Sequence, residues 1–390
     1  MQYNFDEIID RSGTQAIKLE KLKLLFGHED LIPLWVADMD FKSPPAIVEA
    51  LKRRVEHGIF GYTAPSQEYT DSIVHWLERR HRWQVKGEHV NFVPGVVKGF
   101  AFAIDEFTEK GGRVIIQPPV YHPFRIVTES LGREVVYNPL ILENGQYKMD
   151  FGGLRRIVAE NDCKMLILCN PHNPGGRTWS PDELSELADI CYEHNILVVS
   201  DEIHADMALP GHQHTVFASV SEKAKEISLT IMAPSKTFNI AGIVSSFAVI
   251  PNKNIRERYL AYLEPRELQQ GTLFAFTATR AAYDECEDWL DQMLDYVQGN
   301  IDLVDSYLTE NIPEIKAILP EASFLVWLDC RALNLPQREL VKLFVEKAHL
   351  ALNDGTMFGS GGEGFMRMNV GCPRSLLEKG LNNLKKAIHP

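Results

Sequence analysis

Short apolar runs rich in β-branched residues alternate with longer amphipathic runs between residues 90 and 250, and no other feature of the sequence constrains the fold as strongly. This alternation is typical of βαβ units, whose strands form a mostly parallel sheet covered by helices. The predicted strands are Val90–Val93, Arg113–Gln117, Glu134–Tyr137, Met165–Cys169, Ile196–Ser200, Ile227–Met232 and Ser245–Ile250. We therefore expect an α/β fold built around one central sheet.

The clearest helix signal lies between the fourth and fifth predicted strands, over Pro181–His194. Ser180 is placed to cap this helix, and Glu183 completes a capping box three residues later. The apolar positions of the segment fall on one helical face: Leu184, Leu187, Ala188 and Cys191.

The chain on either side of residues 90–250 has a different pattern of predicted helices and strands. Beyond residue 251 it is mostly helical over Ile255–Leu263 and Gly271–Leu308, and it then alternates between short strands and a final helix over Pro373–Ile388. A length of 390 residues suits two packed domains. We expect an N-terminal arm and part of a small domain over residues 1–50, a large domain over 51–285, and the rest of a small α+β domain over 286–390.

Charge and cysteine content exclude several classes of protein. The formal net charge is −13, and no compact run of Lys and Arg offers a basic surface to nucleic acid or to anionic lipid. No segment approaches the roughly 18 apolar residues that a membrane helix needs. The six cysteines are scattered and form no C-x-x-C pair, which favours a reducing compartment. We expect a cytoplasmic protein that binds neither nucleic acid nor membrane.

Polar residues follow four of the predicted strands, and the carboxyl ends of strands in such a sheet converge on the ligand crevice. Each motif alone is typical of a turn, a helix cap or a solvated side chain. Together they match one cofactor, because pyridoxal phosphate needs a lysine, a carboxylate for its ring nitrogen, a donor for its phenolic oxygen and amides for its phosphate. The motifs are Pro94–Val97, Asn170–Gly176, Asp201–His204 and Ala233–Lys236.

These motifs also carry a family resemblance. Asn170–Gly176, Asp201–His204 and Ser235–Gly242 resemble the three signature loops of the class I and II aminotransferase superfamily, and Arg367–Gly371 resembles its substrate-carboxylate arginine. Three N-terminal segments are similar to the cystathionine β-lyase, or C-S lyase, branch of the MalY/PatB type: Asn4–Asp6, Trp35–Phe41 and Gly61–Thr63. The resemblance implies an aspartate aminotransferase-like three-layer sandwich with a smaller α+β domain, and a homodimer with shared active sites.

The resemblance also implies residue roles around the cofactor. Lys236 corresponds to the Schiff-base lysine and α-proton base, Asp201 to the partner of the pyridinium nitrogen, and Asn173 to the partner of the phenolic oxygen. Tyr121 corresponds to the aromatic residue that stacks on the ring. His204 stands where many aminotransferases carry Tyr, as in the lyase branch.

Further roles concern phosphate and substrate. The amides of Val96 and Val97, together with Ser235, correspond to the phosphate site. Tyr62 corresponds to a residue that reaches the phosphate and substrate from the neighbouring subunit. Arg367 corresponds to the clamp on the substrate carboxylate, with Ala37 as a further substrate contact.

The position eight residues after the lysine distinguishes the branches of this superfamily. Many aminotransferases place a phosphate-binding Arg there, whereas this chain has Val244, which favours the lyase branch. The leading hypothesis is α,β-elimination on cystathionine or a related cysteine S-conjugate, yielding pyruvate, ammonia and a thiol. Two alternatives stay open: transamination of an amino acid, and a regulatory cofactor-binding protein of the MalY type.

Two other motifs have ordinary interpretations. The stretch that carries Asp206, His212 and His214 offers no well-spaced third ligand for a metal ion. We therefore interpret it as an exposed loop. The G-x-G-x-x-G pattern over residues 359–364 precedes a predicted strand at Phe365–Val370 rather than opening a helix, so we interpret it as a mobile or tight loop and not as a dinucleotide site.

Overall fold

The computed structural model describes residues 1–389, and its largest element is a seven-stranded sheet. Its strands in chain order are β1 Val90–Val93, β2 Arg113–Ile116, β3 Glu134–Tyr137, β4 Cys163–Cys169, β5 Leu197–Asp201, β6 Ser228–Met232 and β7 Ser246–Val249. Their order in space is β1-β7-β6-β5-β4-β2-β3, and within this sheet β7 runs antiparallel to both neighbours while the other pairs are parallel. The prediction of a mostly parallel sheet is confirmed, and every predicted strand of it is present to within two residues.

Helices cover both faces of this sheet and continue around the second half of the chain. They are α1 Ile17–Glu20, α2 Leu22–Phe26, α3 Pro45–Glu56, α4 Gln67–His81, α5 Val96–Phe107, α6 Pro123–Ser130, α7 Phe151–Glu160, α8 Pro181–Glu193, α9 Glu222–Glu226, α10 Pro234–Thr237, α11 Lys253–Leu263, α12 Leu273–Glu285, α13 Glu287–Asn311, α14 Gln337–Lys342 and α15 Arg374–Ile388. No helix within residues 1–389 is long and apolar enough to cross a membrane.

Successive side chains of the central strands enter two separate cores. In β4, Met165 and Ile167 pack with α5, whereas Leu166 and Leu168 pack with α8 on the opposite face. Both faces of the sheet are therefore buried, as a parallel sheet requires. The result is a helix–sheet–helix sandwich, which agrees with the predicted three-layer architecture.

The strand register brings three loops to one edge of the sheet. Cys169, the last residue of β4, pairs with Asp201, the last residue of β5, and Asp201 pairs with Ile231 near the end of β6. Because these strands are parallel and end at the same level, the residues that follow them meet.

A smaller antiparallel sheet lies in the last third of the chain. Its strands are β8 Lys316–Ile318, β9 Leu325–Asp329, β10 Asn353–Asp354 and β11 Phe365–Asn369, in the order β8-β9-β11-β10. Close by, Ile32–Pro33 pairs in parallel with Leu350–Ala351, so the N-terminal segment packs with the C-terminal region. A separate hairpin joins Ile141–Glu143 to Gln146–Lys148. The domain boundaries at residues 50 and 285 stay a prediction.

The start of α8 matches its sequence signature in detail. Ser180 Oγ accepts a hydrogen bond from the Glu183 amide at 3.2 Å, and the Glu183 carboxylate accepts one from the Ser180 amide at 2.9 Å. The predicted capping box is confirmed. Its buried face consists of Leu184, Leu187, Ala188, Ile190 and Cys191.

We expect Ser180→Ala to lower the free energy of unfolding by about 1 kcal/mol, because an amide at the start of α8 loses its acceptor. Urea unfolding followed by tryptophan fluorescence measures this change. Ser130→Ala is the matched control, since the Ser130 hydroxyl bonds only to the carbonyl of Val127 near the end of α6. Equal urea midpoints for the two variants would contradict the expected effect.

Candidate active site

The residues that follow β1, β4, β5 and β6 line one cavity of about 420 Å³. This volume lies within the usual range for small-molecule sites. Nine of the eleven predicted site residues line it: Ala37, Val96, Val97, Tyr121, Asn173, Asp201, His204, Lys236 and Arg367. Strands and loops far apart in sequence therefore deliver the predicted groups to one place.

The other two predicted residues, Ser235 and Tyr62, lie outside the cavity lining. Ser235 is buried in α10, and its hydroxyl makes no hydrogen bond to the described residues. Tyr62 is fully exposed in the loop between α3 and α4. Within the described chain, Tyr62 is not brought together with the other site residues.

Lys236 is half-buried in the short helix α10, and its Nζ donates a hydrogen bond to the Ala37 carbonyl at 2.6 Å. Burial lowers the pKa of Lys236 to about 8, an effect that the negative charge of Asp38 partly opposes and the positive charge of Arg367 reinforces. A lysine with a lowered pKa supplies a neutral, nucleophilic amine near physiological pH.

Asp201 ends β5 with its side chain buried. Burial raises the pKa of Asp201 to about 7, although the amide of Ile203 donates to Oδ1 at 3.2 Å and lowers it. Glu202 raises this pKa further, and Lys236 lowers it. The carboxylate has no cationic hydrogen-bond partner among the described residues, so a positively charged ligand group in the cavity would stabilise its ionised form.

Two aromatic side chains beside Asp201 stay uncharged at neutral pH. Burial lowers the pKa of His204 to about 3, helped by the positive charges of Lys236 and Arg367, and Nδ1 of this ring has no hydrogen-bond partner. Burial also raises the pKa of Tyr121 to about 12, with a smaller contribution from Asp201. His204 therefore has a buried ring nitrogen that makes no hydrogen bond.

The N-terminus of α5 provides an anion-binding position. Gly95 precedes the helix with φ 113°, a conformation that favours glycine, and it turns the chain so that Val96 and Val97 face the cavity. The first amides of a helix have no partner within it, and the helix dipole attracts negative charge there. Val244, at the place of the phosphate-binding Arg of many aminotransferases, supplies no positive charge.

Arg367 lies on β11 with its side chain buried. Its Nη1 donates to Asn173 Oδ1 at 2.9 Å, and its Nη2 donates to Asn353 Oδ1 at 2.6 Å and to the Trp35 carbonyl at 3.1 Å. Nε has no partner. Burial lowers the pKa of Arg367 to about 10. A buried guanidinium whose partners are all neutral is suited to receive an anionic ligand group.

Comparison with known proteins identifies the family. The family model for aminotransferase class I and II matches residues 29–384. The chain belongs to the aminotransferase class I and II family. It is 45% identical to a Bacillus subtilis protein described as cystathionine beta-lyase PatB, over 99% of this chain and 100% of that protein. The predicted family and its lyase branch are confirmed.

Solved structures of the family share the whole fold. A pyridoxal phosphate-bound putative aminotransferase from Clostridium difficile 630 superposes with a TM-score of 0.97 at 43% identity, covering 100% of both chains. A pyridoxal phosphate-bound C-S lyase from Staphylococcus hominis superposes with a TM-score of 0.93 at 33% identity, covering 100% of this chain and 99% of the other. The predicted aspartate aminotransferase-like fold class is confirmed.

Several cavity residues are absent from the sequence-based prediction: Leu25, Trp35, Val36, His122, Cys169, Ile203, Asn353 and Met357. Trp35 lies in the motif Trp35–Phe41, and His122 directly follows Tyr121, so the family resemblance could have identified both as site residues. Asn353 and Met357 belong to a segment that no motif marks, and only the pairing of β10 with β11 brings Asn353 to Arg367.

The interpretation of residues 206–214 as an exposed loop is wrong for two of its three polar residues. Asp206 is buried and accepts hydrogen bonds from Trp76, His81 and Thr237, and buried His214 pairs with Glu202 at 2.7 Å. Only His212 is exposed. Trp76 and His81 belong to α4, far away in sequence, and their hydrogen bonds accompany the burial of the Asp206 carboxylate. Across residues 1–389, no group of three potential ligands is arranged to hold a metal ion.

The glycine pattern has the expected role in the backbone. The loop over residues 359–364 leads directly into β11, and its glycines adopt φ values of 93°, 86° and 80° at positions 359, 361 and 364. The glycine pattern therefore precedes a strand, as predicted, and does not open a helix.

We expect Asp201→Asn to change the pH dependence of stability in the cofactor-free protein. The native carboxyl keeps its proton up to about pH 7, whereas an unfolded aspartate loses it near pH 4, so Asp201 makes native stability fall as pH rises through this window. Between pH 5 and pH 8, the wild type should lose on the order of 3 kcal/mol relative to the variant.

Thermal unfolding midpoints at pH 5 and pH 8 measure this difference. Asp302→Asn, at an exposed carboxylate on α13, is the matched control and should show no such divergence. If the unfolding midpoints of Asp201→Asn and the wild type change equally between pH 5 and pH 8, burial does not raise the pKa of Asp201.

Proposed function

We propose that this protein is a pyridoxal phosphate-dependent carbon–sulfur lyase that cleaves cystathionine or a related cysteine S-conjugate by α,β-elimination. The observation that carries the proposal is one cavity lined by a lysine with a lowered pKa, a buried carboxylate and an arginine without a counter-ion. The B. subtilis and S. hominis relatives, described as a cystathionine beta-lyase and a C-S lyase, support the elimination reaction.

The polar groups of the cavity fit the cofactor. Asp201 has a carboxylate oxygen without a described partner, and His204 has a buried nitrogen without one. Asn173 uses its oxygen to accept from Arg367, so its amide NH₂ is free to donate to the phenolic oxygen. The N-terminus of α5 and the unbonded Ser235 hydroxyl suit a phosphate. These unused donors and acceptors match the chemical groups of pyridoxal phosphate, which both solved relatives contain.

When bound, the cofactor supplies an aldehyde that condenses with amines and a ring that accepts electron density from the substrate. Lys236 would hold the cofactor covalently. Asp201 would accept a hydrogen bond from the ring nitrogen and favour its protonated form, and Tyr121 would pack against the ring. The pKa of about 7 that burial imposes on Asp201 would fall once that cation is present.

The substrate is oriented by its carboxylate. Arg367 would bind this group with its remaining N–H donors, next to Ala37 and within reach of Lys236 across the same cavity. Lys236, when not bonded to the cofactor, would remove the α-proton, and its lowered pKa favours the neutral form that a base requires. The thiolate would leave from Cβ, and the remaining fragment hydrolyses to pyruvate and ammonia.

Transamination is the second candidate, because it needs the same lysine, carboxylate and arginine. The C. difficile relative, described as a putative aminotransferase, favours it. The two reactions differ in whether the β-substituent leaves and in whether a keto acid is consumed. Val244 in place of a phosphate-binding Arg supports elimination.

We also propose a cytoplasmic homodimer with shared sites. Ile59, Phe60 and Tyr62 are exposed apolar or aromatic residues in the loop between α3 and α4, and a second copy of the chain would cover them. Tyr62 would then serve the neighbouring cavity. All six cysteines are free and buried, which supports a reducing compartment.

The lyase proposal predicts that the purified holoenzyme releases pyruvate and a thiol from cystathionine without added keto acid. Coupling to lactate dehydrogenase measures pyruvate, and a thiol reagent measures the second product. Lys236→Ala should lower turnover by at least about 10³-fold, since it removes both the covalent anchor and the base. Turnover that requires a keto acid would replace the lyase proposal with transamination.

The shared-site proposal predicts that Tyr62→Phe weakens cofactor retention, because one hydrogen-bond donor to the phosphate is lost. Cofactor absorbance after extended dialysis measures retention, and light scattering measures the oligomeric state. Tyr137→Phe, at another exposed tyrosine on β3, is the control. A fully active monomer would show that Tyr62 does not complete a neighbouring site.

A further inference from the structure

Arg367 is held entirely by neutral groups. Its three hydrogen bonds go to the side-chain oxygens of Asn173 and Asn353 and to the Trp35 carbonyl. Its guanidinium carbon also lies 5.0 Å from the centre of the Phe358 ring. Among residues 1–389, no carboxylate forms an ion pair with it, and Tyr121 is the sole charged or titratable side chain that raises its pKa.

The hydrogen-bond donors of the Arg367 guanidinium are not all used. A guanidinium has five N–H donors, and the hydrogen bonds to Asn173, Asn353 and Trp35 use three of them. The Nε–H is buried without a partner, and one Nη1–H also remains. Leaving a buried cation without a counter-ion is costly, so the net charge of Arg367 and its unused Nη1–H are available to an anion in the cavity.

The position of Asn353 follows from strand register. Asn353 on β10 lies opposite Arg367 on β11, whereas the next residue, Asp354, lies opposite Met366. Consecutive side chains of a strand point to opposite faces, so the Asp354 carboxylate is directed away and instead binds Gln337 and the Thr356 amide. A shift of one residue would place a carboxylate on Arg367.

We propose that Asn353 is a positioning residue that orients the Arg367 guanidinium through a neutral acceptor and so reserves its charge for the substrate α-carboxylate. This inference rests on the proposed function, in which Arg367 binds that carboxylate. An aspartate has nearly the same shape as asparagine and would also orient Arg367, but it would neutralise the cation and compete with the substrate.

The test compares variants that differ in charge at this position. Asn353→Asp adds a carboxylate, Asn353→Ser keeps a neutral acceptor, and Asn254→Asp adds the same charge at an exposed site on α11. Propionate is the probe, because it has a carboxylate and no amine. Calorimetric titration of each holoenzyme gives its dissociation constant, and pyruvate release from cystathionine gives KM and kcat.

We expect Asn353→Asp to weaken propionate binding and to raise KM by about tenfold or more, while kcat changes by less than about threefold. Asn254→Asp, far from the cavity, should stay within about threefold of the wild type in all three quantities, and Asn353→Ser should weaken propionate binding less than Asn353→Asp does. Arg367→Leu removes the guanidinium that binds the carboxylate, and this variant should abolish propionate binding. This split between KM and kcat separates positioning from a general structural role.

Two results would overturn the inference. One is equal loss of propionate affinity in Asn353→Asp and Asn353→Ser, which would show that charge is not the cause. The other is a fall in kcat and thermal stability in Asn353→Asp with KM unchanged, which is the mark of a structural role. If Asn353→Asp does not fold, a tenfold loss of propionate affinity in Asn353→Ser would by itself overturn the inference.

Failure of the proposed reaction gives a different pattern. A wild type that makes no pyruvate, but whose propionate binding depends on Asn353 as described, would refute the lyase activity and leave the role of Asn353 standing. Propionate binding that is unchanged in Arg367→Leu would remove the carboxylate clamp and the role of Asn353 together.

Discussion

The parallel register of β4, β5 and β6 is the constraint on which the rest of the site depends. Cys169, Asp201 and Ile231 lie side by side, so the loops that carry Asn173, His204 and Lys236 begin at the same edge. A slip of one residue would move each strand's side chains to the opposite face and separate these groups. The register is itself held by burial on both faces, since alternate residues of β4 pack with α5 and with α8.

Burial without local charge neutralisation characterises the cavity. Burial raises the pKa of Asp201 to about 7 and lowers the pKa values of Lys236 and Arg367 to about 8 and about 10. In each case the charged form is disfavoured, so the folded chain carries a cost that a charged ligand would relieve. A ligand that brings a cation to Asp201 and an anion to Arg367 would relieve this cost, as the proposed cofactor and substrate would do.

Strands and site loops could be predicted because their signals are local. A run such as Ile227–Met232 is mostly apolar and contains the β-branched residues Ile227, Thr230 and Ile231, and the edge at which parallel strands end is set by topology. Asp206 and His214 could not be placed in this way, because a polar stretch resembles an exposed loop. Asp206 is hydrogen-bonded to His81 and Trp76, which lie more than 120 residues away in sequence, and His214 is hydrogen-bonded to Glu202.

The sequence by itself determined the order of strands and helices and the chemical identity of the groups in the cavity, because local periodicity and family motifs encode both. Tertiary structure alone decided which polar groups are paired and which are left free. Asn353 and Asp354 are adjacent in the chain, yet strand pairing places the neutral amide on Arg367 and turns the carboxylate away. Hydrogen-bond distances and the burial of side chains depend on contacts between distant segments. These contacts bring Lys236, Asp201 and Arg367 into one cavity.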